Sequence, residues 1–222
     1  MPVRRALGSR REIERYRQPV PTPTELLPNG RATFEFDGRE FVYATPVDWA
    51  HTGADAYILT PDGVAHAVDM FYGNRLPLHD YSGVQNMDGW IKFLRHLAGE
   101  EWTFANIGHV NIANRQGLMR SLEYTHDLYN AWFEVAPRYW SRDFFPHGDS
   151  YVAAFLRNLF DKISYEVALK MKPKWGHLPH WALAHDHAMK VQWDLFLNYR
   201  YLDRPDIRPA FDPIYPSESE LK

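Results

Sequence analysis

Four histidines fall within eleven residues: His177, His180, His185 and His187. Imidazole binds zinc, iron and copper, so this stretch is the strongest metal candidate in the chain. Its spacing does not supply a ready-made site. On a helix of 3.6 residues per turn, His185 and His187 point about 200° apart, and His180 and His187 share a face but sit about 10 Å apart along the axis. Ligands of one metal each need a bond of roughly 2 Å. A loop over His177-Leu-Pro-His180 would bring two of them together. Otherwise these are polar or interfacial histidines beside Trp175 and Trp181.

A second constellation is Glu123-Tyr-Thr-His126. Glutamate and histidine three apart occupy adjacent positions of one helix face, a half-motif used by di-iron carboxylate bundles. Such a site needs a second Glu-x-x-His on another helix, and this chain has none; Glu166 is not followed by a histidine at that spacing. Asp127, Asn130 and Glu134 make the alternative a solvated acidic face. The dyad His185-Asp186 resembles that of HD-type phosphohydrolases, but the further aspartate would have to come from a Pro-rich tail, and the match is read as chance.

Other chemistries are excluded. Cysteine is absent, which removes disulfides, thiolate zinc sites, iron–sulfur ligation and a cysteine nucleophile. Phosphate-loop, dinucleotide and nucleophile-elbow signatures are missing. No window of eighteen apolar residues exists to span a bilayer, and no apolar segment near Met1 suggests a secretory signal. A net charge of −3 gives no field toward nucleic acid. Arg4, Arg5, Arg10, Arg11, Arg15 and Arg17 do crowd the N-terminus, as a solvated arm or as a mitochondrial targeting sequence would.

The elements that must position these residues follow from local pattern. Residues 1 to 30 read as a basic, Pro-rich extended arm, with a short helix over 10 to 16 behind a Ser9/Glu12 capping box. Asp37-Gly38 marks a type I′ hairpin between Ala32–Phe36 and Arg39–Ala44, pairing Phe34 with Phe41 and Glu35 with Glu40. A second hairpin joins 56–60 to 64–70 through Pro61-Asp62-Gly63, with a helix over 65–70 as the alternative. Four helices are expected after that. The first covers 89–97, capped by Asp88 and ended by Gly99. The second covers 114–136 with a stripe of Leu118, Leu122, Thr125, Tyr129, Trp132 and Ala136. The third runs from 149 or 150 to 172, before Pro173, and the fourth from Pro179 to about 202. The stretch Gly108–Asn114 is polar, and Asn111 or Asn114 would cap the second of these helices.

The expected fold is α+β. An extended arm (1–30) precedes one globular domain (31–203), made of β-hairpins over 31–72 and a bundle-like helical core over 86–203. A Pro-rich tail (204–222) follows. Aromatics make up 15% of the chain, with eight Trp. Surplus aromatics, two Pro-rich ends and no converging polar site predict a non-catalytic accessory subunit of a large complex, contacting other protein subunits. In general style it resembles the supernumerary subunits of mitochondrial respiratory complexes or ATP synthase. A mitochondrial location, peripheral to a membrane complex, is the matching expectation, and no cofactor is expected. The alternative is a metal-dependent enzyme with zinc or iron on the 177–187 histidines, Glu123 and His126. A ribosome- or virion-associated structural protein comes third.

Overall fold

A computed structural model describes residues 27–109, 112–139 and 152–197. The 10–16 helix, all but the last residues of the arm, and the tail fall outside the described residues. Two short strands, β1 (Arg31–Phe36) and β2 (Arg39–Ala44), meet in the expected register, Phe34 opposite Phe41 and Glu35 opposite Glu40. Asp37 and Gly38 both take positive φ, 53° and 70°, as a type I′ turn demands. The Phe34 and Phe41 rings stack at 5.4 Å.

The second hairpin joins β3 (Tyr57–Leu59) to β4 (Val64–His66). It is shorter than expected. β4 ends at His66, and the chain turns away through Asp69 at φ 62°. Two strands were not anticipated: β5 (Phe104–Asn106) and β6 (Ile112–Ala113). Three and two residues are too few for alternation to show in sequence. They complete a six-stranded sheet of order β1-β2-β3-β4-β5-β6, in which only β4 and β5 run parallel. A parallel pair needs a crossover. Helix α1 (Met87–Gly99) lies within the connection from β4 to β5.

Helices α2 (Arg115–Val135), α3 (Val152–Trp175) and α4 (Ala184–Leu197) complete the α+β architecture. The cap of α1 is Asn86, whose side chain accepts from Gly89 N at 3.1 Å; Asp88 sits inside the first turn. Asn114 caps α2 by accepting from Gly117 N at 3.1 Å. Pro173 does not stop α3, which continues to Trp175. Proline there forfeits one hydrogen bond and sits in the last turn, so little helix is lost. Helix α4 starts at Ala184, later than expected, because His180 adopts a left-handed φ of 69° and a short 3₁₀ turn intervenes.

Among the described residues, helices cover the sheet on one face only. Tyr57, Leu59, Ala65, Ala105 and Ala113 point into the core, with Ala65 paired to Ala105 and Ala105 to Ala113. These residues belong to one buried cluster with Trp90, Phe93 and Leu94 of α1 and with Leu118 and Leu122 of α2. The same cluster continues through Leu159, Ile163 and Val167 of α3 into Ala188, Val191 and Leu195 of α4. The opposite face presents His66, Phe104, Asn106 and Ile112 to solvent.

Candidate functional site

The histidine cluster of 177–187 is dispersed. His187 is fully buried; its Nδ1 lies 2.9 Å from the Tyr124 hydroxyl and its Nε2 3.2 Å from the Leu78 carbonyl. The ring is therefore neutral, with Nε2–H donating to Leu78 and Nδ1 accepting from Tyr124. Burial pushes its pKa down to about 4. His180 Nδ1 meets the Leu76 carbonyl at 3.1 Å. His185 reaches back to Asp161, 3.2 Å from Nε2 to Oδ1. His177 is exposed in the turn after α3. The loop does not draw His177 and His180 together as ligands, because His180 is engaged by the backbone preceding α1.

Glu123 and His126 do not form a metal site either. Lys174 occupies that face, 2.5 Å from Glu123 Oε1 and 2.7 Å from Asp127 Oδ2. Burial opposes the Lys174 charge, but the two carboxylates outweigh it and hold its pKa above the ordinary value. His126 Nδ1 stands 3.7 Å from Asp127 Oδ1. Among the described residues, no group of three or more histidines and carboxylates is arranged to hold a metal.

Sequence reasoning passed over a different pair. At the ends of parallel strands β4 and β5, Asp69 and His109 approach each other, 3.5 Å from Oδ2 to Nε2. In open sheets, such strand ends are where ligands commonly bind. The Asp69 side chain is mostly covered, at 21% exposure, whereas that of His109 is 74% exposed. Asp69 N donates to the Ile107 carbonyl at 3.2 Å, tying the two strand-end loops together. Gly108 makes the seat. It has φ 79°, and a Cβ there would stand 2.6 Å from Asp69 Oδ1. The Asn106 side chain accepts from Gly108 N at 3.2 Å and meets His66 Nδ1 at 3.3 Å with its amide nitrogen. Asp69, His109, His66 and Asn106 thus share one rim. The available signal was the polar stretch starting at Gly108-His109, which also contains the true cap, Asn114. Nothing local announces Asp69, forty residues earlier, as its partner.

No family model and no curated protein matches the chain. Solved structures similar to it include a double mutant of the sec-alkyl sulfatase PisA1, at 18% identity and TM-score 0.48, covering 88% of this chain and 29% of that one. The metallo-beta-lactamase family protein TTHA1429 from Thermus thermophilus is 15% identical with TM-score 0.42, covering 86% and 55%. The archaeal metallo-beta-lactamase superfamily protein ST1585 from Sulfolobus tokodaii is 10% identical with TM-score 0.31, covering 62% and 48%. This chain therefore spans between 29% and 55% of the length of those proteins.

These likenesses run to a sulfatase and to metallo-beta-lactamase proteins, and they displace the expected non-catalytic subunit of a respiratory or ATP synthase complex. The physical reason lies in the aromatics. Their number in the sequence suggests a partner surface, yet Trp90, Trp102, Trp132 and Trp175, with Tyr57, Tyr72, Tyr81, Tyr124 and Tyr129, are buried in this chain's own core. At TM-scores under 0.5 the likeness goes no further, and the chemistry of the rim is argued from its residues alone.

Proposed function

We propose that this chain contributes to a metal-dependent hydrolytic enzyme, with Asp69 and His109 as its metal-facing pair. The supporting observation is the 3.5 Å approach of His109 Nε2 to Asp69 Oδ2, seated by Gly108. Two tetrahedral ligands with bonds of about 2.0–2.1 Å stand roughly 3.3 Å apart, so this separation suits a shared divalent cation. As a plain ion pair at this exposure the contact would add little stability. The donor chemistry, one carboxylate and one imidazole, fits zinc. The fit is partial: a catalytic zinc takes three protein ligands, and the described residues close only two. His66 offers a further imidazole on the same rim.

When bound, such a cation supplies Lewis acidity and a water of lowered pKa. Asp69 would bring negative charge from a carboxylate fixed against the Gly108 backbone. His109 would bind through an unprotonated Nε2.

Calorimetric titration of the metal-depleted full chain with zinc tests this reading. It predicts saturable binding that weakens at least about tenfold in both Asp69→Asn and His109→Gln, a scale set by loss of a direct ligand. His177→Gln and His185→Gln should bind as the wild type does. Absence of zinc binding, or equal binding by all four variants, would remove the proposal. Hydrolysis of p-nitrophenyl esters by zinc-loaded protein then tests the reaction class.

A further inference from the structure

Asn29 is the one asparagine of the chain that precedes glycine; every other precedes a residue with a side chain. Without a Cβ on Gly30, the backbone nitrogen of that residue reaches the asparagine side-chain carbon unhindered. Asn29 is exposed, and among the described residues its side chain has no hydrogen-bond partner. Three other asparagines spend the same side-chain carbonyl on the backbone. Asn86 accepts from Gly89 N at 3.1 Å, Asn106 from Gly108 N at 3.2 Å and Asn114 from Gly117 N at 3.1 Å. They are followed by Met87, Ile107 and Arg115, whose side chains crowd an attacking nitrogen.

The fold holds the nitrogen that would react. Gly30 lies one residue before β1 at φ 95°, a conformation that glycine adopts without strain. Its N–H donates to Thr45 Oγ1 at 2.7 Å, and its carbonyl accepts from Thr45 N at 2.8 Å. This pair carries the β1–β2 ladder one step beyond Arg31 and Ala44. Arg31, next in the chain, reaches Glu100, 3.2 Å from Nε to Oε1. Thr45 therefore engages both backbone polar groups of Gly30. Its Oγ1 holds the proton that must leave before the nitrogen attacks.

We propose that Asn29 is a site of spontaneous covalent modification, deamidation through a succinimide, and that Thr45 restrains it. Solvent base takes the Gly30 N–H proton, the nitrogen bonds to Asn29 Cγ, and the side-chain amide nitrogen leaves as ammonia. Water then opens the five-membered ring. Breaking the bond from Cγ to the Gly30 nitrogen gives aspartate. Breaking the bond from the Asn29 main-chain carbonyl carbon to that nitrogen gives isoaspartate. In sum one water is consumed and one ammonia released, with no oxidation or reduction. Isoaspartate adds an atom to the main chain at the step into β1. Either product sets a new carboxylate two residues from Arg31, which Glu100 engages. The proposal does not rest on a metal at Asp69.

The test incubates the full folded chain in mildly alkaline buffer beside the same chain unfolded in urea. Peptide mass spectrometry follows every asparagine, and enzymatic carboxyl methylation counts isoaspartate. Asn29 should convert ahead of all other asparagines, and at least about fivefold more slowly in the folded chain than in the unfolded one, the scale of one neutral hydrogen bond. Thr45→Val keeps the side-chain shape and removes the acceptor. It should speed conversion of the folded chain about fivefold and leave the unfolded rate unchanged. Thr45→Ser restores the acceptor and should return the rate toward that of the wild type. Asn29→Gln should abolish the methylated product. Amide exchange at Thr33 and Val42 reports whether the hairpin of Thr45→Val is intact; if it opens, the folded and unfolded wild-type rates decide. Earlier conversion at another asparagine would overturn the proposal. So would equal rates in the folded and unfolded wild type, or a Thr45→Val rate equal to that of the wild type with the hairpin intact.

Discussion

The α2–α4 seam and the rim at the ends of β4 and β5 both carry histidine beside an oxygen acceptor, and they use it differently. In the seam, Tyr124 meets His187 at 2.9 Å, Tyr129 donates to Asp194 at 3.0 Å, and Trp132 donates to Gln192 at 3.0 Å. These side chains are buried, and nearly every polar atom is answered by a neighbour on the facing helix; Gln192 Nε2 lacks a partner among the described residues. On the rim, His109 is three-quarters exposed and its contact with Asp69 is long, at 3.5 Å. Buried polar groups must be satisfied or they destabilise the fold. Exposed ones are free of that demand and keep capacity for a ligand. The lesson is that the density of histidines in sequence marked the seam, whose capacity is spent internally, while the sparse pair on the rim keeps its own.

Removing the seam's histidine should have the largest effect. His187→Ala leaves a cavity, an unanswered Tyr124 hydroxyl and an unanswered Leu78 carbonyl, and should cost about 4 kcal/mol in chemical denaturation. A loss below about 1 kcal/mol would break the contrast between the two regions.

Acid should act through the same residue. The folded-state pKa of His187 is about 4, below the ordinary 6.5, because the ring is buried between Tyr81 and Tyr124. Asp186 pulls the value up slightly and His180 pushes it down. The unfolded chain takes up the proton first, so this contribution is complete above pH 6.5 and is lost as pH falls from 6.5 toward 4. The full loss is roughly 3 kcal/mol. Equilibrium unfolding across that range should show the slope, and His187→Asn should flatten it.

A smaller effect belongs to the rim. Gly108→Ala places a Cβ against Asp69 at a left-handed position and should cost about 1–2 kcal/mol. It should weaken zinc binding more than it lowers the unfolding midpoint. An unchanged zinc isotherm would separate Gly108 from the seat of Asp69.

The least effect is expected where Lys174 of α3 meets Glu123 and Asp127 of α2. Lys174→Met removes ion pairs with Glu123 and Asp127, yet screening at this exposure should keep the stability change under about 1 kcal/mol. Zinc titration of this variant should be indistinguishable from wild type. Metal uptake exposed by Lys174→Met would return Glu123 and His126 to candidacy.

Local chemistry made much of the fold legible in sequence. The Asp37-Gly38 turn, the register of Phe34 on Phe41 and the stripe from Leu118 to Ala136 all depend on neighbours within a few residues. The same locality explains the small misreadings. Asn86 and Asp88 are both good caps, and only the path of the preceding loop selects Asn86. Pro173 reads as a stop, but a proline in a last turn forfeits only one bond.

By itself the sequence determined an α+β protein with one type I′ hairpin, four amphipathic helices and no thiol chemistry, because turn dihedrals and 3.6-residue periodicity are properties of the local chain. Tertiary structure alone decided the parallel pairing of β4 with β5. That pairing brings residues 69 and 109 together, and the wider packing sends His187 into a neutral buried seam. Each of these depends on a contact between segments far apart in the chain. The free energy of such contacts comes from burial and close packing that no short window contains.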